Sequence, residues 1–208
     1  MIPKNGYRFS ETIMLKQERF LAMPRLRFET VRDLLEAFPI AERLIEVDPS
    51  DEPSLRFLEG LVARDDLDRA VGFCAFLLPR REAVWWGCRT VRAFVPAPSR
   101  EEDAAIRIAE EWVQQPEDRR RVAALELGLR GGSALPSTYL ALAAGWSGGR
   151  ISLGADESIP VPPHQTARVV RAAVLVAACR VDMEQKPEIL RRCLEDGIAF
   201  VTGEMQEA

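Results

Sequence analysis

The chain has 208 residues, of which 47% are hydrophobic and 29% are charged. This balance is ordinary for a soluble globular protein and excludes wholesale disorder, and the length suits one domain with a well-buried core. The formal net charge of −4 comes from interspersed acidic and basic residues, whereas a nucleic-acid-binding protein usually carries a basic stripe. The amino terminus lacks an apolar signal segment, and the longest apolar run, Ala172 to Cys179, is too short to span a membrane. A cytoplasmic location without membrane contact is therefore expected.

The first 29 residues differ in charge from the rest of the chain. They hold six basic and three acidic residues, and their apolar residues show only weak periodicity. We therefore predict a basic arm over residues 1–29, extended or with one short helix, that precedes a helical domain over residues 30–203. Such an arm can fold against an acidic partner or against the acidic body of the chain.

Helical periodicity begins at residue 30 and continues through the first half of the domain. Thr30 is a suitable cap for a helix that Pro39 ends, and short helical segments follow at 40–47 and at 51–62. Residues 67–78 predict a helix that is apolar nearly all round, so it should be covered on every side and lie at the centre of the molecule. A second apolar helix follows Pro79 and carries Val84, Trp85, Cys88, Val91 and Val95 at helical spacing.

The second half of the domain contains further helices and one long irregular segment. Ser99 and Glu102 form a capping box that starts a helix ending near residue 115. Helical patterns recur at 117–129, 136–144, 165–181 and 187–201. The segment 145–164 holds four glycines and three prolines and is predicted as a long loop, in which only Arg150 to Leu153 suggests a strand. We predict an all-α, single-domain bundle of about eight or nine helices, with HEAT-like helical pairs as the alternative.

The cysteine and histidine content gives no indication of a metal site or a cofactor. The four cysteines fall in predicted helices and form no Cys-x-x-Cys pair, so buried, reduced thiols are expected. His164 is the single histidine of the chain. A zinc site needs four closely placed ligands, and this sequence does not supply such a set.

The segment Gly145-Trp146-Ser147-Gly148-Gly149 satisfies the pattern G-x-S-x-G of a serine nucleophile. Asp156 and His164 follow it in the order that α/β-hydrolases use. In that fold the serine lies on a strand-to-helix turn at a parallel sheet, whereas here the pattern follows a predicted helix and no sheet is predicted. We interpret His164 as a polar residue in the first turn of a helix rather than as a catalytic base. A serine hydrolase that uses Ser147, Asp156 and His164 is therefore the alternative function.

A tryptophan beside flexible glycines points instead to protein binding. Trp146 either folds back onto the core or is exposed as an anchor for a partner, since tryptophan is favoured at binding hot spots. The residues predicted to bind a partner are Trp146, Ser147, Arg150, His164 and Trp86. The other three tryptophans lie on predicted helices, and for them a position in the core is favoured over the surface. They are Trp85, Trp86 and Trp112.

Three runs of arginine could form an anion-binding surface, and with it a nucleic-acid interface, although such runs near helix ends are more often solvated faces. They are Arg80-Arg81, Arg119-Arg120-Arg121 and Arg191-Arg192. We do not expect a nucleic-acid partner from them alone, because the bulk of the chain has no basic stripe.

Two segments of the chain resemble an uncharacterised bacterial family of short all-helical proteins. They are LLPRREAVWWGC and YLALAAGWSGG, the latter followed by VPPHQTARVVRAAVLVAA. The resemblance covers residues 30–200 and leaves the basic arm outside. It implies a cytosolic accessory role, such as an adaptor or chaperone for a secreted component, because the family is associated with gene neighbourhoods of type VI secretion. It brings no catalytic residues. We therefore predict a non-enzymatic protein-interaction module.

Overall fold

The computed structural model describes residues 26–152 and 158–204. Within these ranges the chain forms ten α-helices and one two-stranded antiparallel sheet. The helices are α1 (Val31–Ala37), α2 (Pro39–Ile45), α3 (Ser54–Ala63), α4 (Leu67–Leu77), α5 (Arg80–Phe94), α6 (Arg100–Gln114), α7 (Asp118–Arg130), α8 (Pro136–Gly145), α9 (Gln165–Ala178) and α10 (Lys186–Thr202). The strands are β1 (Arg150–Ser152) and β2 (Ser158–Pro160). The predicted all-α, single-domain bundle is confirmed.

Helix α4 lies at the centre of the bundle, as its apolar sequence predicted. All its residues except Asp68 and Arg69 are buried. It packs against α2 and α3 on one side and against α9 and α10 on another. Gly72 allows α2 to approach closely, because a Cβ atom at this position would lie 2.0 Å from Cγ2 of Ile45. A helix with no polar face is stable in water only when neighbouring helices cover it in this way.

Helices α8 and α9 join parts of the chain that are far apart in sequence. Helix α8 packs against α5, α6, α7 and α9, and α9 packs against α4, α5 and α8. A stack of HEAT-like pairs would keep each helix mainly against its neighbours in sequence. The packing is therefore that of a bundle. In the ranges given above, no helix is both long enough and apolar enough to cross a bilayer.

The first two helices belong to the core. Thr30 caps α1 as predicted, because its side chain accepts a hydrogen bond from the backbone N–H of Asp33 and the Asp33 carboxylate accepts one from the N–H of Thr30. An isolated antiparallel bridge between Thr30 and Pro53 ties the start of α1 to the start of α3. The two helices and the residue between them bury six apolar side chains, which are Val31, Leu34, Leu35, Phe38, Ala41 and Ile45.

The tryptophans of α5 and α6 lie in the core, and one predicted partner-binding residue is corrected as a result. Trp86 is fully buried, and its indole N–H donates a hydrogen bond of 2.7 Å to the backbone carbonyl of Cys193. Trp85 and Trp112 are buried as predicted. The inclusion of Trp86 among the partner-binding residues was wrong, because its side chain does not reach the surface.

Three of the four cysteines are buried as predicted, and one is exposed. Cys74, Cys88 and Cys193 are buried free thiols, and burial raises the pKa of each. Cys179 is exposed, because α9 ends at Ala178 and residue 179 lies beyond its last buried turn. Among the described residues, no three His, Cys, Asp or Glu side chains come together as a metal site.

Candidate functional site

The G-x-S-x-G segment forms a turn at the carboxyl end of α8. The backbone N–H of Trp146 donates to the carbonyl of Leu142 at 2.8 Å, and that of Ser147 donates to the carbonyl of Ala144 at 3.2 Å. The segment therefore prolongs the hydrogen bonding of the helix before the chain enters β1. We name residues 145–149 the α8 turn.

Arg121 of α7 holds the backbone of the α8 turn. Its Nη1 group donates hydrogen bonds to the carbonyl oxygens of Gly145 at 3.0 Å and Gly148 at 3.2 Å, and its Nη2 group pairs with Asp118 at 2.7 Å. Only 14% of the Arg121 side chain is exposed. The last carbonyls of a helix lack intrahelical donors and carry partial negative charge, so a guanidinium group at this place stabilises the helix end.

Two further side chains donate hydrogen bonds to the backbone of the α8 turn. Arg80, at the start of α5, donates a hydrogen bond of 2.9 Å to the carbonyl of Ser147. Thr166, in the first turn of α9, donates one of 3.2 Å from its hydroxyl to the carbonyl of Trp146. Four successive carbonyl oxygens, those of residues 145–148, thus accept side-chain hydrogen bonds from three different helices.

Two of the three glycines of the α8 turn, Gly145 and Gly149, are required by close contacts. Gly149 has a φ of +80°, a left-handed conformation that favours glycine. A Cβ atom there would lie 2.7 Å from Nη1 of Arg121. A Cβ atom on Gly145 would lie 2.6 Å from Cα of Leu125 in α7. The glycine spacing of the motif therefore reflects the packing of α7 and Arg121 against the turn.

Trp146 lies at the edge of this turn. Its side chain is half-buried and packs against the apolar core. The sequence allowed either a side chain folded onto the core or an exposed anchor. The tryptophan is folded onto the core, and part of its surface remains exposed.

A short β-hairpin follows the α8 turn. Strands β1 and β2 pair with Ile151 opposite Ile159, and the N–H of Val161 donates to the carbonyl of Gly149 at 3.1 Å. Arg150 is exposed and binds Ser158 through the hydroxyl at 2.8 Å and the carbonyl at 2.6 Å. The strand suggested at Arg150 to Leu153 is present up to residue 152, and Leu153 lies outside the described residues.

The backbone around Ser147 differs from a nucleophile elbow. The motif lies at the end of a helix, whereas a nucleophile elbow joins a strand to a helix. In the described ranges, no hydrogen bond links the side chains of Ser147 and His164, and Asp156 lies outside these ranges. His164 is half-buried at the start of α9, where burial, and then the positive charge of Arg168, lowers its pKa.

The runs of arginine serve mainly as internal donors, which the sequence did not predict. Arg81 donates hydrogen bonds to the last carbonyls of α6, at Val113 and Gln114. Arg120 pairs with Glu111 at 3.2 Å, and Arg191 pairs with Asp65 at 2.8 Å in the same way. For Arg80-Arg81 and Arg119-Arg120-Arg121, a usable signal was their position at the starts of α5 and α7, because the carbonyl ends of neighbouring helices need donors.

Comparison with known families places the chain in a group without an assigned function. A family model described as "Family of unknown function (DUF6931)" matches residues 57–201, well over half of the chain. The chain belongs to this family. The match contains α4 to α9, the α8 turn and the hairpin, and it begins within α3, so α1 and α2 precede it. No curated protein and no solved structure matches the chain.

Proposed function

We propose that this chain is a non-enzymatic protein-interaction module. Its partner-binding surface would be the α8 turn, the hairpin and the adjoining starts of α5, α7 and α9. The supporting observation is that Arg80, Arg121 and Thr166 fix the backbone of the turn while Trp146 keeps part of its surface exposed. A turn that is already ordered loses little conformational entropy on binding, and tryptophan is a frequent anchor at interfaces.

Within the cell, we propose a cytoplasmic accessory or adaptor role in a bacterial secretion system of type VI. This part of the proposal is supported by the resemblance of LLPRREAVWWGC and GWSGG to a family with such gene neighbourhoods.

The partner-binding surface can be tested by affinity purification from the native host with mass spectrometry. We expect a partner that the wild-type chain captures and that Trp146→Ala loses. Trp146→Phe, which keeps an aromatic ring on the core, is the matched control and should retain most of the binding. Thermal unfolding of each variant shows whether the fold is intact. Equal capture by all three chains would place the partner on another surface.

The absence of catalysis is tested separately with a fluorophosphonate probe. A hydrolase that uses Ser147 would need a base within hydrogen-bond reach of its hydroxyl. We expect no labelling of the wild-type chain above the level of Ser147→Ala. Labelling that depends on Ser147 would favour the serine hydrolase over the interaction module.

A further inference from the structure

Helix α7 carries an apolar face that the fold leaves uncovered. Val122 and Leu129 lie seven residues apart on this helix and are 37% and 65% exposed. Leu125 lies between them, three residues after Val122, and is half-buried. Residues at this spacing share one face of a helix. A contiguous exposed apolar face is characteristic of a binding surface.

Helix α8 carries an apolar stripe with the same spacing. Its residues are all buried except Tyr139 and Leu142. Trp146, the half-buried C-cap residue, continues the stripe by one further turn. The hydroxyl of Tyr139 donates to the carbonyl of Ser133 at 2.9 Å, so the polar end of this side chain already has a partner. The aromatic rings and Leu142 therefore form the accessible surface of α8.

The two stripes adjoin each other at their middle residues. A Cβ atom on Gly145 would lie 2.6 Å from Cα of Leu125. A Cβ atom on Gly128 would lie 2.8 Å from both Cγ and the backbone nitrogen of Leu142. Leu125 and Leu142 thus lie where α7 and α8 touch, and the two stripes form one continuous surface. We name it the α7–α8 groove, and its residues are Val122, Leu125, Leu129, Tyr139, Leu142 and Trp146.

The α7–α8 groove has the size of a single helix. The two helices run antiparallel, with residue 125 beside 145 and residue 128 beside 142, so the six side chains extend over about three helical turns, roughly 15 Å. The width is set by two helix axes about 8–10 Å apart. A stable contact between two folded copies buries about 800 Å² on each, several times the area of this surface. An amphipathic helix, whose apolar stripe has the same spacing, fits it.

Glu126 places a negative charge beside the groove. It lies four residues after Val122 and three before Leu129, and it is exposed. Within residues 26–152 and 158–204, the ion pairs of α7 do not include it. By helical periodicity, Arg119 and Arg130 lie beyond Glu126, on the side away from the groove. The charge nearest to the exposed apolar pair therefore suits a basic side chain on the partner.

We propose that the α7–α8 groove binds an amphipathic α-helix of a partner protein. The apolar stripe of that helix contacts Leu129, Leu142 and Trp146, and a lysine or arginine beside the stripe faces Glu126. The inference rests on the proposed function and adds the form and chemistry of the partner. The groove is formed by two helices in close contact, so binding requires little ordering of this chain.

Fluorescence anisotropy with a defined peptide tests the inference. The probe is a fluorescein-labelled synthetic peptide of about four helical turns, with leucines at i, i+3, i+4 and i+7 and lysines elsewhere, titrated with the full chain. We expect Leu129→Gln to weaken binding by about tenfold, because apolar contact area is lost. Met183→Gln, a neutral change at a side chain that is 88% exposed between α9 and α10, is the matched control and should bind as the wild type does.

The charge beside the groove is tested in the same titration. Glu126→Gln should weaken binding by about threefold, the size of an exposed ion pair. Glu184→Gln, which removes an exposed carboxylate between α9 and α10, should leave the affinity unchanged. Equal affinities of these two variants would reject a basic residue facing Glu126.

Five results would overturn the inference. Three concern the probe: no binding to the wild-type chain, equal binding of a peptide with the same residues in an order without an apolar stripe, and equal weakening by Leu129→Gln and Met183→Gln. A wild-type dimer in analytical ultracentrifugation that Leu129→Gln dissociates would make a second copy the occupant. Displacement of the probe by a synthetic peptide of residues 1–25 at lower concentration than by the unlabelled probe would assign the groove to the chain's own amino terminus.

The purification experiment separates this failure from that of the proposed function. A native partner that depends on Trp146 but tolerates Leu129→Gln would keep the interaction module and reject a helix in the α7–α8 groove.

Discussion

At the scale of single residues, the three glycines of the G-x-S-x-G segment have different environments. Gly145 contacts the backbone of α7, with an ideal Cβ position 2.6 Å from Cα of Leu125. Gly148 is nearly unobstructed, because the closest atom to its Cβ position is Cδ of Arg121 at 3.9 Å. The pattern therefore combines one glycine fixed by helix packing, one by a positive φ at residue 149 and one without steric need.

The first prediction compares two of these glycines. Gly145→Ala should lower the free energy of unfolding by about 1–3 kcal/mol, because the new methyl group would press on backbone atoms that cannot rotate away. Gly148→Ala, its matched control, should change it by less than about 0.5 kcal/mol. Urea denaturation measures both. Equal losses would mean that α7 and α8 can separate at little cost.

At the scale of elements, the end of α8 depends on donors from other helices. The sequence of α8 holds no basic residue in its last turn, so no side chain of its own can neutralise the partial negative charge of its last carbonyls. Arg80 and Arg121 supply the donors from 67 and 24 residues away along the chain. The candidate site therefore exists only when α5, α7 and α8 are assembled.

The second prediction concerns the hydrogen bonds from Arg121 to the end of α8. Arg121→Met should speed hydrogen exchange of the amides of Trp146 and Ser147 by about tenfold or more, because two charge-assisted hydrogen bonds are lost. The effect should be confined to the α8 turn and the hairpin. Arg119→Met, on the exposed side of the same helix, is the control. Faster exchange in both variants would indicate a general loosening of α7.

The third prediction concerns the capping box of α6. Burial raises the pKa of Glu102, but hydrogen bonds from Ser99 and the ion pair with Arg180 outweigh it, so the net pKa lies below the usual value. A lowered pKa in the folded state adds stability above the ordinary pKa, and this stability is lost as pH falls through the folded-state value. The free energy of unfolding of Glu102→Gln should therefore fall less than that of the wild type between about pH 5 and about pH 3.

Chemical denaturation across this pH range measures the difference. Glu101→Gln removes a carboxylate from the neighbouring exposed position and should leave the slope nearer to that of the wild type. A Glu102→Gln curve parallel to the wild-type curve would show that Glu102 and Arg180 make no pH-dependent contribution.

At the scale of the whole molecule, the folded unit extends beyond the part that defines the family. The family match begins at residue 57, yet α1 and α2 precede it and bury residues that are 0–4% exposed. Phe38 at the end of α1 contacts Phe76 of α4, with ring centroids 5.5 Å apart. The two helices therefore complete the cover of the central helix.

The fourth prediction tests this contribution to the core. Leu34→Ala should lower the free energy of unfolding by about 2–5 kcal/mol, because Leu34 is fully buried in α1 and its loss leaves a cavity. Glu36→Ala, an exposed change in the same helix, should cost less than about 0.5 kcal/mol. Calorimetry or urea denaturation measures both. Similar small losses would mean that α1 is peripheral to the core.

Local patterns predicted much of the fold and little of the site. Pro79, the Ser99 and Glu102 capping box and the apolar residues 67–78 act within one or two helical turns, so they indicated where helices begin, end and are buried. The same patterns placed Trp86 with the core and also with the partner-binding residues. Only its burial against Cys193 resolved this choice.

The sequence by itself determined the all-α class, the central position of α4 and the helix end at the G-x-S-x-G segment, because these follow from side-chain periodicity and short-range hydrogen bonding. The tertiary structure alone decided that Arg80, Arg121 and Thr166 bind one turn. These contacts depend on how the ends of separate helices are oriented in the bundle. No pattern along a single helix records that orientation.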